Sequence, residues 1–324
     1  MAARGDAGGS GGARGDRGIG SGHANRGETE LSVPLQVSRE VADAVAAGRP
    51  VVALETSIVG QGLPAPHNLR AAFESEAAIR KEGAVPASVA VIDGKVRVGL
   101  AASDLERVAA GAVKVSSRDL GPAIVGGKVG ATTVAATMRA AAMAGIRFFA
   151  TGGIGGVHRG RPEDQSADLV ELGRTAVAVF CAGAKIILDL PLTIERLESL
   201  SVPVLGYGTD EFPAFYTAHS GCSVSARVDG PEDTARMLRA AWDTGTRGIV
   251  VAVPPPAELE GAEEMAQRAA RELAGVAGSE VTPRLLARMA ELSGGKSLEL
   301  NVVLVVNNAR VAAQVAAAAA RSQS

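Results

Sequence analysis

At 324 residues, with 47% hydrophobic and 21% charged side chains, the chain has the balance of a globular protein with a sizeable core, in one large domain or two small ones. A net charge of -2 and a pI near 6.2, without basic clustering, exclude the surface of a typical nucleic-acid binder. Two cysteines, Cys181 and Cys222, exclude a disulfide framework, and His23, His67, His158 and His219 are too scattered for a zinc spacing, so a reducing cytoplasm is expected.

Residues 1–32 are mostly Gly, Ala, Arg and Asp and cannot bury enough apolar surface to offset their ordering entropy, so they read as a disordered tail. Arg4-Gly5-Asp6 and Arg14-Gly15-Asp16 inside it are read as low-complexity composition. No hydrophobic segment follows the early arginines, and no apolar run is expected to reach membrane-spanning length, so neither a secretory signal nor a membrane partner is expected. Residues 33–324 read as one folded domain.

That domain opens with Ser38 as N-cap of a helix to Ala47, then a buried strand Val51–Leu54 that ends on Glu55. After a Gly/Pro loop comes an amphipathic helix with Leu69, Ala72, Phe73 and Ile79 on one face. Strands at Ser88–Ile92 and Val96–Leu100 flank an Asp93-Gly94 turn and predict a hairpin. Ser103 is expected to cap the next helix, and Ala112–Val115 to form a strand carrying Lys114. Gly126-Gly127-Lys128-Val129-Gly130-Ala131-Thr132-Thr133 fails the P-loop pattern, with Pro122 for its first glycine and Val129 for its magnesium hydroxyl. A glycine turn running into a helix from Thr133 still offers N–H groups to an anion, or simply packs closely; both readings stay open.

The centre of the chain is Phe148–Lys185. It holds the glycine turn Thr151-Gly152-Gly153-Ile154-Gly155-Gly156-Val157-His158-Arg159-Gly160, Asp164 and Asp168, and the apolar run Val177–Ala184 that ends on Lys185. The turn is not a dinucleotide fingerprint, because His158 stands where the third glycine belongs. Further on, Asp189 and Thr193 are capping candidates for a helix through Leu200. Strands are expected at Val202–Tyr207, Ser223–Val228 and Gly248–Val253. Helices are expected at Glu232–Trp242, at Ala262–Ala274 and, from a Thr282 cap, to Leu292. A last strand at Val302–Val306 is expected before an alanine-rich helix. The alternation predicts an α/β protein, a three-layer α/β/α sandwich with a mixed central sheet and polar residues at strand ends.

Lysine at its ordinary pKa of about 10.4 is neutral in roughly one molecule in 2,500 at pH 7, so a nucleophilic Lys185 needs desolvation or a second cation such as Lys114. The alternative is a lysine at the strand rim that binds a phosphate or carboxylate. Glu55 reads as a general acid or base, or as a structural carboxylate. Asp164 and Asp168, four apart, would share a helix face and suit magnesium or manganese, or only the helix dipole. His158 reads as a sugar or phosphate contact, or a loop cap.

Several segments together carry a family resemblance: Ala53-Leu54-Glu55-Thr56, Gly130-Ala131-Thr132-Thr133-Val134, the glycine turn, Ser166-Ala167-Asp168-Leu169, Cys181-Ala182-Gly183-Ala184-Lys185 with Ile187-Leu188-Asp189, and Asn307-Asn308-Ala309. Over about residues 35–320 the chain resembles the pseudouridine-5'-phosphate glycosidases, also called the indigoidine-synthase-A-like family. The resemblance implies reversible cleavage of the carbon–carbon bond between uracil and ribose 5-phosphate, with a divalent ion, usually Mn2+ (Mg2+ or another ion as alternatives), in a homotrimer. It implies Lys185 as a Schiff-base nucleophile, Glu55 as proton donor and Asp164 as metal ligand. Substrate contacts are implied at Lys114, Thr132, Thr133, Val134, His158, Ser166, Ala167, Asp168 and Asn308. Members commonly carry a histidine where this chain has Gln61, which bears on how that loop meets the base or phosphate. The rival readings are a Schiff-base aldolase or a glycosidase for another C-nucleotide, and a non-catalytic sugar-phosphate binder. Retention of both Glu55 and Lys185 weighs against the last.

Overall fold

The structure, a computed structural model, describes residues 34–273 and 281–322. The tail expected at residues 1–32 lies outside these, as does the Ala274 end of one expected helix. Local chemistry sets the first elements. After β1 (Leu35–Val37), the Ser38 hydroxyl accepts from Val41 N at 3.4 Å and starts α1 (Arg39–Ala46). β2 (Val51–Leu54) is apolar and buried throughout, as suits a strand covered on both faces. A π-helical turn at Ile58–Gly62 leads to α2 (His67–Lys81), β3 (Val85–Ile92) and β4 (Lys95–Val98). Asp93 (φ 51°) and Gly94 (φ 70°) are both left-handed, the geometry that matches a two-residue hairpin to strand twist.

The remaining elements alternate as expected. They are α3 (Ala102–Gly111), β5 (Val113–Val115), α4 (Leu120–Val125), β6 (Gly130–Thr132), α5 (Val134–Met143), β7 (Phe148–Ala150), β8 (Val157–His158), β9 (Arg161–Gln165) and α6 (Ala167–Leu172). Then follow β10 (Ala178–Cys181), β11 (Leu188–Asp189), α7 (Leu190–Ser199), β12 (Val204–Tyr207), β13 (Ala226–Val228), α8 (Pro231–Asp243), β14 (Ile249–Ala252), α9 (Ala262–Glu272), α10 (Val281–Leu292) and α11 (Lys296–Arg321).

Among the described residues the main sheet runs β1-β4-β3-β2-β7-β10-β14-β12-β13, with β6 on β3 and β5 on β6. The pairs from β3 through β13 along this path are parallel, whereas β3 meets β4 and β6 antiparallel, so the sheet is mixed. Alternate strand residues feed two apolar layers. Val51, Ala53, Val179, Cys181, Val250 and Ala252 point to α1, α5, α6 and α7. Val52, Leu54, Ala178, Phe180, Ile249 and Val251 point to α2, α8 and the end of α11. The period of two along each strand thus produces the three-layer sandwich.

Five expectations are corrected. Val302–Val306 is not a strand but lies inside the 26-residue α11. Buried residues on one face, among them Ser297, Leu300, Asn301, Leu304, Val305 and Asn308, recur at helical spacing, and burial there, with Val302 also covered, overrides the β preference of a valine run. This helix is long and apolar enough to cross a membrane, contrary to the expectation that no such run exists, yet 61% of its most apolar window is buried within the fold. Ser103 lies inside α3, where Ala101 occupies the cap, and α10 already includes Thr282 and Pro283. Phe73 is 38% exposed; Ala71, Ala72, Ser75 and Ile79 form the buried face of α2 instead.

Candidate active site

Three adjacent parallel strands, β2, β7 and β10, carry the key side chains beyond their C-terminal ends. Glu55 directly follows β2, Thr151 directly follows β7, and Lys185 stands on the turn after β10. The carboxyl ends of parallel strands are where open α/β sheets bind ligands. Glu55 is held at both oxygens: Ser57 Oγ donates to Oε2 and Thr151 Oγ1 donates to Oε1. Burial pushes the Glu55 carboxyl up from the usual range. The Lys185 ammonium and the two hydroxyls act against this, and the Asp168 carboxylate adds to it. Glu55 and Lys185, 130 positions apart in the chain, therefore share one electrostatic environment.

Lys185 is not the last residue of a strand, as its sequence setting implied, because β10 ends at Cys181. Gly183 (φ 79°) turns the chain against the carbonyl of Pro213, where any side chain would collide. Ile154 N donates to Gly183 O at 3.1 Å and Lys185 N to Ile154 O at 3.3 Å, so the lysine backbone is stitched to the glycine turn. Lys185 is partly exposed between buried neighbours, so its side chain has access to solvent.

Asp164 and Asp168 do not share a helix face. Asp164 lies on β9, and Asp168 is in the first turn of α6 behind its cap, Ser166. The break comes from Ser166, whose extended backbone separates the two and whose hydroxyl accepts from Asp168 N at 3.2 Å. Asp168, only 6% exposed, accepts from Ala135 N at 3.0 Å and from Gly155 N at 2.9 Å, and so joins the glycine turn to the start of α5. A Cβ at Gly155 would run into Ser166 Oγ and the Asp168 carboxylate, which is why a glycine stands there. Ala167 opens α6 beside these residues.

The expected anion site is also rearranged. Strand β6 separates the Gly126-Gly127 turn from α5, and Asp168 already engages the first turn of α5. Thr132 is fully buried, donating to Val89 O at 2.6 Å and accepting from Thr137 Oγ1 at 2.9 Å, so its hydroxyl serves the core. Thr133 differs: its buried Oγ1 has no partner and lies next to Val134, the first residue of α5. Lys114 sits on the neighbouring β5, exposed to solvent.

His158 and Asp164 face each other across the β8–β9 hairpin. The His158 Nδ1 atom is 3.1 Å from Asp164 O and 3.4 Å from Asp164 Oδ1, while its buried Nε2 has no partner. No group of three or more His, Cys, Asp or Glu side chains that could hold a metal occurs among the described residues. A half-exposed Asp164 fits a divalent ion that keeps most of its water and meets the substrate, but not an all-protein cage.

Asn308 has a structural bond as well as a free acceptor. It is fully buried in α11, its Nδ2 donates to Thr151 O at 2.8 Å and so braces the end of β7, and its buried Oδ1 has no partner. Gln61, in the π-helical turn after Glu55, donates to Ala112 O at 2.6 Å and ties that turn to the entry of β5. Sequence reasoning missed the roles of Ser57 and Thr151. The only signal was their position, a hydroxyl just after each of two apolar strands. A groove of about 600 Å3 lined by Arg159, Ile186, Asp189, His219 and Glu263 includes neither Glu55 nor Lys185 in its wall, and Arg159 there is already engaged by Glu263.

Residues 40–318 match the family of indigoidine synthase A like proteins. The chain is 51% identical over 296 residues to a pseudouridine-5'-phosphate glycosidase of Sorangium cellulosum, covering 88% of this chain and 93% of that protein. It is 53% identical over 297 residues to one of Chloroflexus aurantiacus, covering 87% and 97%. Among solved structures, the prealnumycin C-glycosynthase AlnA, in complex with ribulose 5-phosphate, superposes with a TM-score of 0.81 at 40% identity, over 89% of this chain and 98% of AlnA. An indigoidine synthase A-like protein from Thermotoga maritima gives 0.79 at 32% identity, over 88% and 96%.

Proposed function

This chain belongs to the indigoidine synthase A-like family, and from that premise we propose that it is a pseudouridine-5'-phosphate glycosidase that works through a Schiff base on Lys185. Its relatives at about half identity over nearly their whole length carry that activity in their names. The observation that carries the mechanism is the convergence of Lys185 and Glu55 from the ends of β10 and β2, on either side of β7.

A carbon–carbon glycosidic bond has no leaving heteroatom to protonate, so the paired carboxylates of ordinary glycosidases do not suffice. In the cleavage direction the neutral Lys185 Nζ bonds to C1' as the C1'–O4' bond opens, and O4' takes a proton. The nitrogen lone pair then forms C1'=N while the C1'–C5 bond breaks. Its electrons pass to uracil C5, which takes a proton from Glu55. Water hydrolyses the imine and returns free Lys185 with ribose 5-phosphate. A carboxyl raised by burial retains its proton closer to neutral pH, which suits Glu55 for that donation.

Thr133 Oγ1, the Val134 backbone and Lys114 form the phosphate side of the cleft, and His158 with Ser166, Ala167 and Asp168 forms the sugar side. Asp164 would hold the divalent ion, Mn2+ in this reading, whose charge would offset that of the substrate oxygens. Homotrimeric assembly in the cytoplasm belongs to the same reading, and light scattering on the purified protein tests the assembly.

The likeness to AlnA supports a second reading, in which the same lysine joins a sugar phosphate to a different carbon nucleophile. One experiment separates the two. The protein is incubated with pseudouridine 5'-phosphate and borohydride, and Lys185 is examined by mass spectrometry for a reduced ribose-phosphate adduct. An adduct with release of uracil supports the glycosidase. No adduct, or normal uracil release by Lys185→Ala, overturns the covalent mechanism.

A further inference from the structure

We propose that Ser57 and Thr151 are positioning residues for Glu55: with one hydroxyl on each carboxylate oxygen, they hold the side chain toward the substrate in either of its proton states. The reaction that Glu55 serves is taken from the reading above. The geometry of the hydroxyl pair stands on its own.

The two hydroxyls reach Glu55 from different strand ends. Ser57 lies two positions beyond it, and Thr151 comes from the end of β7, 96 positions later. Thr151 has little freedom to move. It is 1% exposed, its N–H donates to Phe180 O at 3.0 Å, and its carbonyl accepts from Asn308 Nδ2 at 2.8 Å.

The choice of hydroxyls has a chemical consequence. A backbone N–H or an arginine can only donate, so it favours the ionised carboxylate and loses its partner when a proton arrives. A hydroxyl donates to the carboxylate and, after its hydrogen rotates, accepts from the carboxyl O–H. A residue that gives and takes a proton in one cycle thus keeps partners throughout. The charges facing Glu55 are the Lys185 ammonium from the turn after β10, which favours ionisation, and the Asp168 carboxylate from α6, which opposes it alongside burial. Without the hydroxyls, Lys185 alone would oppose protonation.

The test uses Thr151→Val, Ser57→Ala and the conservative Thr151→Ser in the full chain carrying 13C-labelled glutamate carboxyls. The Glu55 resonance is identified by its loss in Glu55→Gln and titrated without substrate. The inference expects Glu55 to titrate at higher pH in both Thr151→Val and Ser57→Ala, and nearer the wild-type pH in Thr151→Ser. It also expects kcat for uracil release to fall by about tenfold or more in the first two, as for loss of a hydrogen bond to a charged group, with KM little changed. Titration at the same or lower pH in both variants overturns it, as does an unchanged kcat. Should Thr151→Val not fold, Ser57→Ala against wild type decides the matter. If the wild-type protein releases no uracil, the glycosidase reading fails, while the substrate-free titration still decides the role of the hydroxyls.

Discussion

Asp168 Oδ1 accepts the backbone N–H of Ala135 at 3.0 Å, so the first turn of α5 meets a carboxylate of the protein itself. The other oxygen takes Gly155 N, and one buried side chain thereby sets the distance between a helix start and the glycine turn. Asp168→Asn can accept only one of these bonds, leaving the other N–H facing an amide donor. A loss of about 1–3 kcal/mol in unfolding free energy is expected, read by urea titration. Because Asp168 raises the Glu55 carboxyl, the same variant should lower the pH at which Glu55 titrates.

Lys185→Ala should remove the adduct and reduce uracil release by roughly 10^4-fold or more, as for the loss of a covalent nucleophile. It should also move Glu55 to a higher titration pH, since the ammonium that favours its ionised form is gone. A residual rate close to wild type would take the nucleophile's role from Lys185.

Glu55→Gln makes a stability prediction with a definite sign. The folded chain holds the Glu55 proton at pH values where the unfolded chain has lost it. The stability contributed by that proton is complete below the ordinary glutamate range and falls as pH rises through the raised folded value. Glutamine does not titrate. The difference in Tm between Glu55→Gln and wild type should therefore shift in favour of the variant as pH rises from about 4 toward 8, measured by calorimetry at fixed ionic strength.

Asn308→Leu tests the brace. The Thr151 carbonyl would lose its donor, whereas Gly152 O keeps that of Ala182 N at 2.9 Å, so Tm should fall in the absence of any ligand. An unchanged Tm with a raised KM would instead make Asn308 a substrate contact.

Exhaustive chelation should abolish uracil release, and added Mn2+ should restore it. Asp164→Asn should weaken that restoration, read as a higher ion concentration for half activity, while leaving the fold intact because Asp164 is half-exposed. Full activity after chelation would remove the ion from the reaction.

The parts of this fold that were legible in the sequence are those settled by neighbours in the chain. The Ser38 cap, the all-apolar Val51–Leu54 strand and the Asp93-Gly94 turn each follow from local geometry. The Val302–Val306 segment was not legible, because its helical state comes from the surfaces that α11 as a whole meets, α2, α8 and the strands β2, β7 and β10. The candidate site divides in the same way. Glu55 and Lys185 announced themselves as charges after apolar runs, but Ser57, Thr151 and Asp168 draw their roles from partners on other elements. The spacing of Asp164 and Asp168 misled because Asp164 lies on β9 and the helix starts only after the cap residue Ser166.

Asn308 is supplied by α11, the last helix among the described residues. A ribosome makes Glu55, Thr151 and Lys185 long before α11 leaves the exit tunnel, and domains form as their segments emerge. Until then the Thr151 carbonyl lacks its donor, and the inner faces of β2, β7 and β10 lack the helix that covers them. A nascent or prematurely terminated chain thus holds the reactive side chains without the frame that aligns them. Alignment is conferred only once α11 has emerged, so a product truncated before Lys296 should carry an amine and an acid without that frame.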